Sequence, residues 1–370
     1  MTAAPTRRGF LARGTAGLAA VTAAAPAIVS AQTPLTLRFQ SAWPTRDIFH
    51  EFAVDFARKV NELSDSRIRI EMLPAGSIVK PFEILEAVHR GQIDGSHAVS
   101  SYWTARSSAC GLFGGGPAMG LDGTGLLAWI AYGGGQKLYD ELMHDALGLD
   151  VEGFHYGPFG PQALGWFRRP LRSREDLKGL KYRVVGLAAD MMRELGVFPV
   201  RIAGPEIIAS FERERIDGAE YNNPSSDRAL GLPDVAKLCY LQSHHQPSQV
   251  FEVLINRRRF ASLSPQLRSV FRLATQAASA DMVWKSAERY AADFHEMRSR
   301  MGVHFERTPE DILTAQLSAW RRVAELRAEE NPNFAAILQS QTEFARRTVG
   351  YQIESHVGQR AAFDAWFARR

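Results

Sequence analysis

This 370-residue chain has few cysteines and only a small net charge. Its only cysteines are Cys110 and Cys239, which are too far apart in sequence to establish a disulfide. A bridge and two separate buried thiols therefore both stay open. The 44 basic residues face 40 acidic ones. Nucleic-acid-binding chains concentrate basic charge in a patch, so this balance argues against nucleic acid as a partner.

Catalytic signatures are missing as well. The chain has no His-Glu-x-x-His, no Gly-x-Ser-x-Gly and no Walker-type Gly-Lys-Ser/Thr. The glycine runs at 114–116 and 133–135 lack the lysine and hydroxyl of a phosphate loop, so turns are favoured there. The neighbours His244 and His245 have no cysteine or histidine partner at zinc-ligand spacing, which disfavours zinc. These absences favour a binding protein over an enzyme.

The N-terminus has the pattern of an export signal. Arg7 and Arg8 precede an Ala-rich, moderately apolar run, which ends at the small residues Val29-Ser30-Ala31. This order predicts a signal peptide over residues 1–31 that is removed in the periplasm, and the paired arginines predict the twin-arginine route. A membrane anchor is the alternative, but it needs about 18 strongly apolar residues, whereas this run is short and broken by Pro26.

The rest of the chain alternates strands with helices. Removing 31 residues from 370 leaves 339, which is too long for one ordinary core. Strand patterns at 35–40 and 68–73 flank a helical pattern at 49–63, and a similar run starts near Val151. We expect an α/β fold of the two-lobed periplasmic-binding-protein type, with a ligand cleft between the lobes. The main parts are residues 32–150 and 151–255, with strands crossing between lobes, and a helical C-terminal region follows at 256–370.

Polar side chains interrupt the strands of the second lobe. Arg183 lies in an otherwise apolar strand, and Gln162 precedes the strand pattern at 164–167. Glu220 and Tyr221 end another strand and lead into Asn222. A buried arginine needs an anionic partner. That partner is either Glu220, in a structural salt bridge, or a ligand carboxylate held by two parallel hydrogen bonds.

These residues belong to a wider pattern. The segments 178–184, 192–199 and 216–220, together with Phe39-Gln40-Ser41-Ala42-Trp43-Pro44, resemble the signature of solute-binding proteins of TRAP transporters, the DctP family. The motif Gly160-Pro161-Gln162 and the long helical tail resemble the branch that binds 2-oxo acids and lactate. The resemblance covers essentially the whole chain after the signal.

The resemblance implies a set of site residues. Arg183 falls where the family binds the ligand carboxylate, and Tyr102 matches a pocket tyrosine that hydrogen-bonds the ligand. Trp43 would supply an apolar wall, and Asn222 a polar contact. Gln162, Glu220, the backbone of Tyr221 and Gln246 fall where the branch holds a cation. Because these ligands are hard oxygens, the cation would be Na⁺ or Ca²⁺.

The chain departs from the branch at two of these positions. Tyr221 stands where tryptophan is usual, and Gln246 where an acidic residue is common. Losing a carboxylate would weaken a divalent ion, and extra polar groups suit a ligand that is larger or more hydroxylated than pyruvate.

The resulting hypothesis is a periplasmic receptor that delivers a small carboxylate to the membrane subunits of a TRAP permease. A secreted hydrolase or lyase and a sensor-partner protein of the same fold are the alternatives. In the resembled branch the long terminal helix exchanges between subunits, which implies a homodimer here.

Overall fold

Two β-sheets divide the protein into two lobes. The computed structural model describes residues 33–116 and 119–367, so the predicted signal peptide at 1–31 lies outside the described residues. The first sheet has five strands in the order β2-β1-β3-β10-β4, and the second has six in the order β11-β9-β5-β8-β6-β7. The predicted two-lobed α/β fold is confirmed.

The first sheet is parallel on one side and antiparallel on the other. The strand β1 pairs in parallel with β2 and β3, whereas β10 runs antiparallel to both β3 and β4. Its strands are β1 (Leu35–Ser41), β2 (Ile68–Leu73), β3 (Gly95–Ala98), β4 (Val151–Tyr156) and β10 (Phe251–Asn256).

The second sheet is built from short strands. A parallel group, β7-β6-β8, continues through antiparallel β5 into the parallel pair β9 and β11. Its strands are β5 (Gly165–Phe167), β6 (Lys181–Arg183), β7 (Phe198–Val200), β8 (Gly218–Ala219), β9 (Leu238–Tyr240) and β11 (His304–Glu306).

Helices cover both sheets and form the C-terminal region. In chain order they are α1 (Ile48–Leu63), α2 (Ile84–His89), α3 (Gly123–Tyr132), α4 (Gly135–Asp140), α5 (Leu187–Glu194), α6 (Ile207–Glu212), α7 (Pro224–Leu230), α8 (Leu232–Val235), α9 (Arg257–Ala261), α10 (Pro265–Arg300), α11 (Glu310–Glu330), α12 (Pro332–Ser355) and α13 (Gln359–Phe367). The long helix α10 packs on α1 and β4 of the first lobe and on α7 of the second.

The strand topology refines the expected course of the chain. Although β4 and β10 fall within the range assigned mainly to the second lobe, both lie in the first sheet. The chain therefore crosses to the second lobe through residues 157–164, the first crossing segment. It returns through residues 241–250, the second crossing segment, and then crosses a third time through residues 257–303, which contain α9 and α10 and lead to β11. Sequence neighbours cannot reveal this, because strand order depends on pairing over long separations.

Strands β1 and β2 and helix α1 are present within one residue of their predicted bounds, but two strands of the second sheet are shorter than expected. Arg183 is the last residue of β6, and the strand that Glu220 and Tyr221 were expected to end stops at Ala219. A side chain ends β6. The backbone N–H of Val185 donates to the Glu220 carboxylate at 3.1 Å rather than to another strand.

The two cysteines do not form a disulfide. Cys110 and Cys239 are both buried free thiols, which answers the question that the sequence left open. Among the described residues, no helix combines the length and the apolar character that crossing a bilayer requires.

Gly165 allows a close approach of β5 and β8 in the second sheet. Its φ of +122° is unfavourable for other residues, and a Cβ atom there would lie 2.3 Å from the carbonyl oxygen of Ala219. We expect Gly165→Ala to lower the free energy of unfolding by about 2 kcal/mol or more, measured by urea denaturation.

Gly160→Ala is the matched control, because Gly160 has φ +89° and no atom within 4 Å of the added Cβ. It should cost only roughly 1 kcal/mol, the strain of a left-handed residue without a clash. Equal losses in the two variants would contradict the role of the close β5–β8 contact.

Candidate ligand-binding site

A small closed cavity lies where the two lobes meet. The volume that a water-sized molecule can enter is only about 10 Å³, so the lining side chains nearly fill the cavity in this closed arrangement. Seven of the eight site residues expected from the sequence line it, and the eighth, Glu220, pairs with one of them. The lining residues are Trp43, Val99, Ser101, Tyr102, Phe159, Gln162, Arg183, Val185, Tyr221, Asn222, Gln246 and Gln249.

Strand ends and crossing segments bring these residues together. Trp43 follows β1, Tyr102 follows β3, Arg183 ends β6, and Tyr221 follows β8. These strands run parallel within their own sheets, so their carboxyl ends meet at one edge, where ligands of α/β proteins bind. The two crossing segments supply the rest, and they are tied together by a hydrogen bond from the backbone N–H of Gln162 to the carbonyl of Gln246 at 3.1 Å.

Arg183 is fully buried and forms a salt bridge. Its Nη1 lies 2.9 Å from Glu220 Oε1 and also donates to the Glu220 carbonyl at 3.0 Å. Its Nε donates to the carbonyl of Ile202 at 3.1 Å. The structural salt bridge between Arg183 and Glu220, one of the two alternatives that the sequence left open, is therefore present in the protein. With Nε and Nη1 engaged, a fork of two nitrogens is not available to a ligand, and Nη2 is the nitrogen that remains.

Glu220 is held at only one of its two carboxylate oxygens. Oε1 accepts from Val185 and faces Arg183, whereas Oε2 is buried without a hydrogen-bond partner among the described residues. Burial raises the pKa of Glu220 to about 7, although the positive charge of Arg183 opposes the shift. A cation near Oε2 would stabilise the charged form.

Two residues that line the cavity, Gln162 and Gln246, carry side-chain oxygen atoms that lack donors. The side-chain amide of Gln162 donates from Nε2 to the Tyr221 carbonyl at 2.6 Å, which fixes its orientation and leaves Oε1 without a partner. Gln246 Oε1 is buried and likewise unpartnered among the described residues. Together with Glu220 Oε2 these are hard oxygen ligands, which suit Na⁺ or Ca²⁺ rather than a transition metal.

Zinc has no comparable site in the part of the chain that the structure describes. No group of three or more His, Cys, Asp or Glu side chains there is arranged to hold a metal. His245 is buried next to the hydroxyl of Ser243, and burial lowers its pKa to about 3.

Three further predicted residues complete the wall of the cavity. Trp43 packs edge-on against Phe49 and provides an apolar surface. Burial raises the pKa of Tyr102 to about 12, so its phenol stays protonated and able to donate. The backbone N–H of Asn222 donates to the Asp227 carboxylate at 3.1 Å, while the side-chain Nδ2 of Asn222 is buried without a partner among the described residues.

One buried carboxylate joins the two lobes, and sequence reasoning missed it. Asp47 caps helix α1 by accepting from the backbone N–H of Phe49 at 2.9 Å. It also accepts from the hydroxyls of Tyr221 and Ser226 in the second lobe, both at 2.6 Å. Burial raises the pKa of Asp47, and these three hydrogen bonds oppose the shift. An aspartate at a helix start signals a cap, but the cap pattern does not reveal a partner 174 residues away.

Arg201 makes a second contact across the cleft. Its guanidinium lies 4.2 Å from the ring centroid of Phe82 and donates to the carbonyl of Tyr102 at 2.8 Å. The cleft is thus closed by polar contacts at separate points, which explains why the cavity is enclosed.

The remaining lining residues were also absent from the predicted set. They are Val99, Ser101, Phe159, Val185 and Gln249. All five lie within three positions of a predicted residue, but nothing in the local sequence marks them as ligand contacts.

The fold and the cavity define a two-lobed solute-binding protein. The chain matches the DctP family, described as bacterial extracellular solute-binding protein, family 7, over residues 39–328. The chain belongs to this family, as the sequence motifs indicated.

Relatives with stated ligands support the same class. The chain is 28% identical to a monocarboxylate 2-oxoacid-binding periplasmic protein of Nostoc sp., over 88% of this chain and 96% of that protein. It is similar to a TRAP periplasmic solute-binding protein from Colwellia psychrerythraea with bound calcium and pyruvate, with TM-score 0.82, 27% identity, and coverage of 90% and 99% of the two chains. A third relative, from Pseudoalteromonas atlantica with bound sodium and pyruvate, has TM-score 0.80, 26% identity, and coverage of 88% and 100%.

The Tyr221–Asp47 hydrogen bond should stabilise the closed arrangement. A hydrogen bond to a carboxylate contributes about 1.5–3 kcal/mol. We therefore expect Tyr221→Phe to shift the lobes toward an open form by roughly tenfold or more. Small-angle X-ray scattering should detect this shift as a larger radius of gyration.

Tyr182→Phe is the matched control, because the Tyr182 hydroxyl donates to the carbonyl of Leu164, the residue directly before β5 of the second sheet. This variant also loses a buried tyrosine hydroxyl but breaks no contact across the cleft. An unchanged radius of gyration in Tyr221→Phe, or an equal change in both variants, would contradict the role of Asp47 in closure.

Proposed function

We propose that this protein is the periplasmic receptor of a TRAP transporter and binds a 2-oxo or 2-hydroxy monocarboxylate together with a bridging cation. The observation that carries the proposal is the closed cavity, which joins Arg183 to a set of unpartnered oxygen atoms. The ligands of the relatives have the matching chemistry, since the Nostoc protein binds monocarboxylate 2-oxo acids and the two similar structures hold pyruvate with calcium or sodium. Closed lobes then present the ligand to the membrane subunits of the permease.

Charge balance supports the cation. When Glu220 is in its charged form, it neutralises Arg183 in a site where both side chains are buried. A carboxylate that enters this cavity is costly to bury unless further positive charge accompanies it. A cation supplies that charge and also satisfies the oxygen atoms that lack donors. We assign Gln162 Oε1, Gln246 Oε1, Glu220 Oε2 and the carbonyl of Tyr221 as its protein ligands.

The carboxylate then lies between the cation and the donors. Arg183 Nη2 and the phenol of Tyr102 bind its oxygens, while Asn222 Nδ2 is available to the 2-oxygen. Trp43 packs against the carbon chain of the acid. The sequence suggested that two nitrogens of Arg183 would hold the carboxylate. In this assignment one nitrogen of Arg183 and the cation hold it instead.

A secreted hydrolase or lyase finds no support in the same geometry. Glu220 is fixed by Val185 and Arg183, which suits a ligand of a cation better than a mobile general base. The cavity is lined by no histidine, cysteine or lysine among the described residues. We further propose that residues 1–31 direct export and are removed, which places the receptor in the periplasm.

The C-terminal residues support a homodimer. The helix α13 has no buried residue, and several large apolar side chains at the end of the chain are exposed. We propose that a second copy of the chain covers them. The residues concerned are Tyr351, Ile353, Val357, Phe363, Trp366 and Phe367.

Titration calorimetry tests the binding site. Pyruvate or lactate should bind in the presence of Ca²⁺ or Na⁺, and binding should be lost after chelation and exchange of sodium for choline. Arg183→Ala should weaken binding by about 2–5 kcal/mol, because it leaves Glu220 without its partner and removes Nη2. Arg183→Lys should retain the fold, because it keeps a positive charge beside Glu220, but it should still bind more weakly since the planar geometry is lost.

Arg193→Ala is the control for loss of an arginine–carboxylate pair, since Arg193 lies 2.7 Å from Asp190 outside the cavity. It should bind ligand like the unaltered protein. Full affinity in both Arg183 variants would contradict the anchoring role, and binding that ignores the ions would contradict the bridging cation.

Light scattering tests the dimer. The protein without residues 1–31 should be a dimer at micromolar concentration, and truncation after Ser355 should yield a monomer that still binds ligand, because α13 contributes nothing to the core. Trp284→Ala removes an exposed tryptophan elsewhere and should leave the dimer intact. A monomeric starting protein would refute the proposal.

A further inference from the structure

Gln249 is a polar lining residue without an assigned partner. It lies on the second crossing segment, two residues before β10, and its side chain is buried. Its Nε2 has no hydrogen-bond partner among the described residues, although it lines the same cavity as Arg183. The apolar residues Trp43, Val99 and Phe159 line that cavity too.

The backbone around Gln249 holds its amide in place. Gly115 packs directly on the amide, since a Cβ atom at Gly115 would lie 2.7 Å from Gln249 Oε1. The φ of Gly115 is +113°, which also favours glycine. The carbonyl of Gln249 accepts from the backbone N–H of Phe159 at 3.3 Å, so both ends of the residue are positioned by neighbours.

A buried amide without a partner is costly. Leaving such a donor unsatisfied costs about 1–3 kcal/mol, which a ligand oxygen can recover. The proposed cation, Arg183 and Tyr102 already serve the carboxylate and the 2-oxygen of a 2-oxo acid. A plain methyl group at the third carbon would leave the Gln249 amide without a partner, whereas an oxygen-bearing substituent would satisfy it.

We propose that Gln249 is a specificity-determining residue that recognises a hydroxyl or carbonyl group on the third or fourth carbon of the bound acid. The inference rests on the proposed function and deepens it from small 2-oxo acids in general to those with a further polar group. The amide suits a hydroxyl in either orientation, because its nitrogen donates and its oxygen accepts. Sites built for a hydrogen bond discriminate against analogues that lack the group.

The test compares two ligands of equal size. In 3-hydroxypyruvate a hydroxyl takes the place of the terminal methyl of 2-oxobutanoate, so the two acids have the same number of non-hydrogen atoms. By titration calorimetry the unaltered protein should bind 3-hydroxypyruvate at least about tenfold more tightly than 2-oxobutanoate, which sets the ratio of the two affinities. In Gln249→Met, which has similar length but no amide, this ratio should fall to about one, mainly through weaker binding of 3-hydroxypyruvate.

Gln341→Met is the matched control, because Gln341 is also a buried glutamine but donates to Leu112 outside the cavity. It should keep the preference of the unaltered protein. The ratio measured for the unaltered protein tests the proposal even if Gln249→Met does not fold.

The outcomes separate this inference from the proposed function. A ratio near one in the unaltered protein, as expected if water satisfies the amide, overturns the role of Gln249 while pyruvate binding stands. A preference that persists in Gln249→Met overturns it as well. If none of the three acids binds, the proposed function fails, and the inference fails with it.

Discussion

The buried pair of Arg183 and Glu220 is the interaction on which the site depends. Two opposite charges sit together at the carboxyl ends of β6 and β8, and they are 2.9 Å apart. Neither charge could be buried alone at acceptable cost. Glu220 also accepts a hydrogen bond from the backbone N–H of Val185, just after the end of β6. The pair therefore shapes the local backbone and, by cancelling its own charge, leaves the cavity in need of a cation when an anionic ligand binds.

Closure is achieved by a different set of groups. Asp47 and Arg201 reach across the cleft to partners in the opposite lobe, while the ligand-facing atoms of Gln162, Gln246 and Gln249 stay without protein partners. The atoms that hold the lobes together thus differ from the atoms that face the ligand, although Tyr221 and Tyr102 contribute to both sets. Such a receptor closes with a defined geometry while polar atoms of its cavity remain without hydrogen-bond partners. Burying these atoms is costly until a ligand forms hydrogen bonds with them.

Much of the fold and the central part of the site could be predicted from the sequence. Alternating patterns located β1 and β2, and an arginine within an apolar strand indicated Arg183, because local periodicity and the cost of a buried charge are both visible in sequence. The membership of β4 and β10 in the first sheet was not visible, since pairing over a hundred residues depends on the whole topology. Asp47 and Gln249 were missed for the same reason. Their neighbours in sequence are ordinary, and only the folded chain brings them to Tyr221 and to the cavity.

The two crossing segments connect the lobes, yet they also carry Gln162, Gln246 and Gln249. Any hinge motion that separates the lobes must bend these segments, because they link the first sheet to the second. The Gln162–Gln246 backbone contact makes them bend as a pair. Because Gln162 is also hydrogen-bonded to the Tyr221 carbonyl, the oxygen atoms assigned to the proposed cation stay together when the lobes separate. Opening instead withdraws Trp43 and Tyr102, which follow strands of the first sheet, from the acid. A membrane partner that separates the lobes would therefore weaken binding without competing for the ligand.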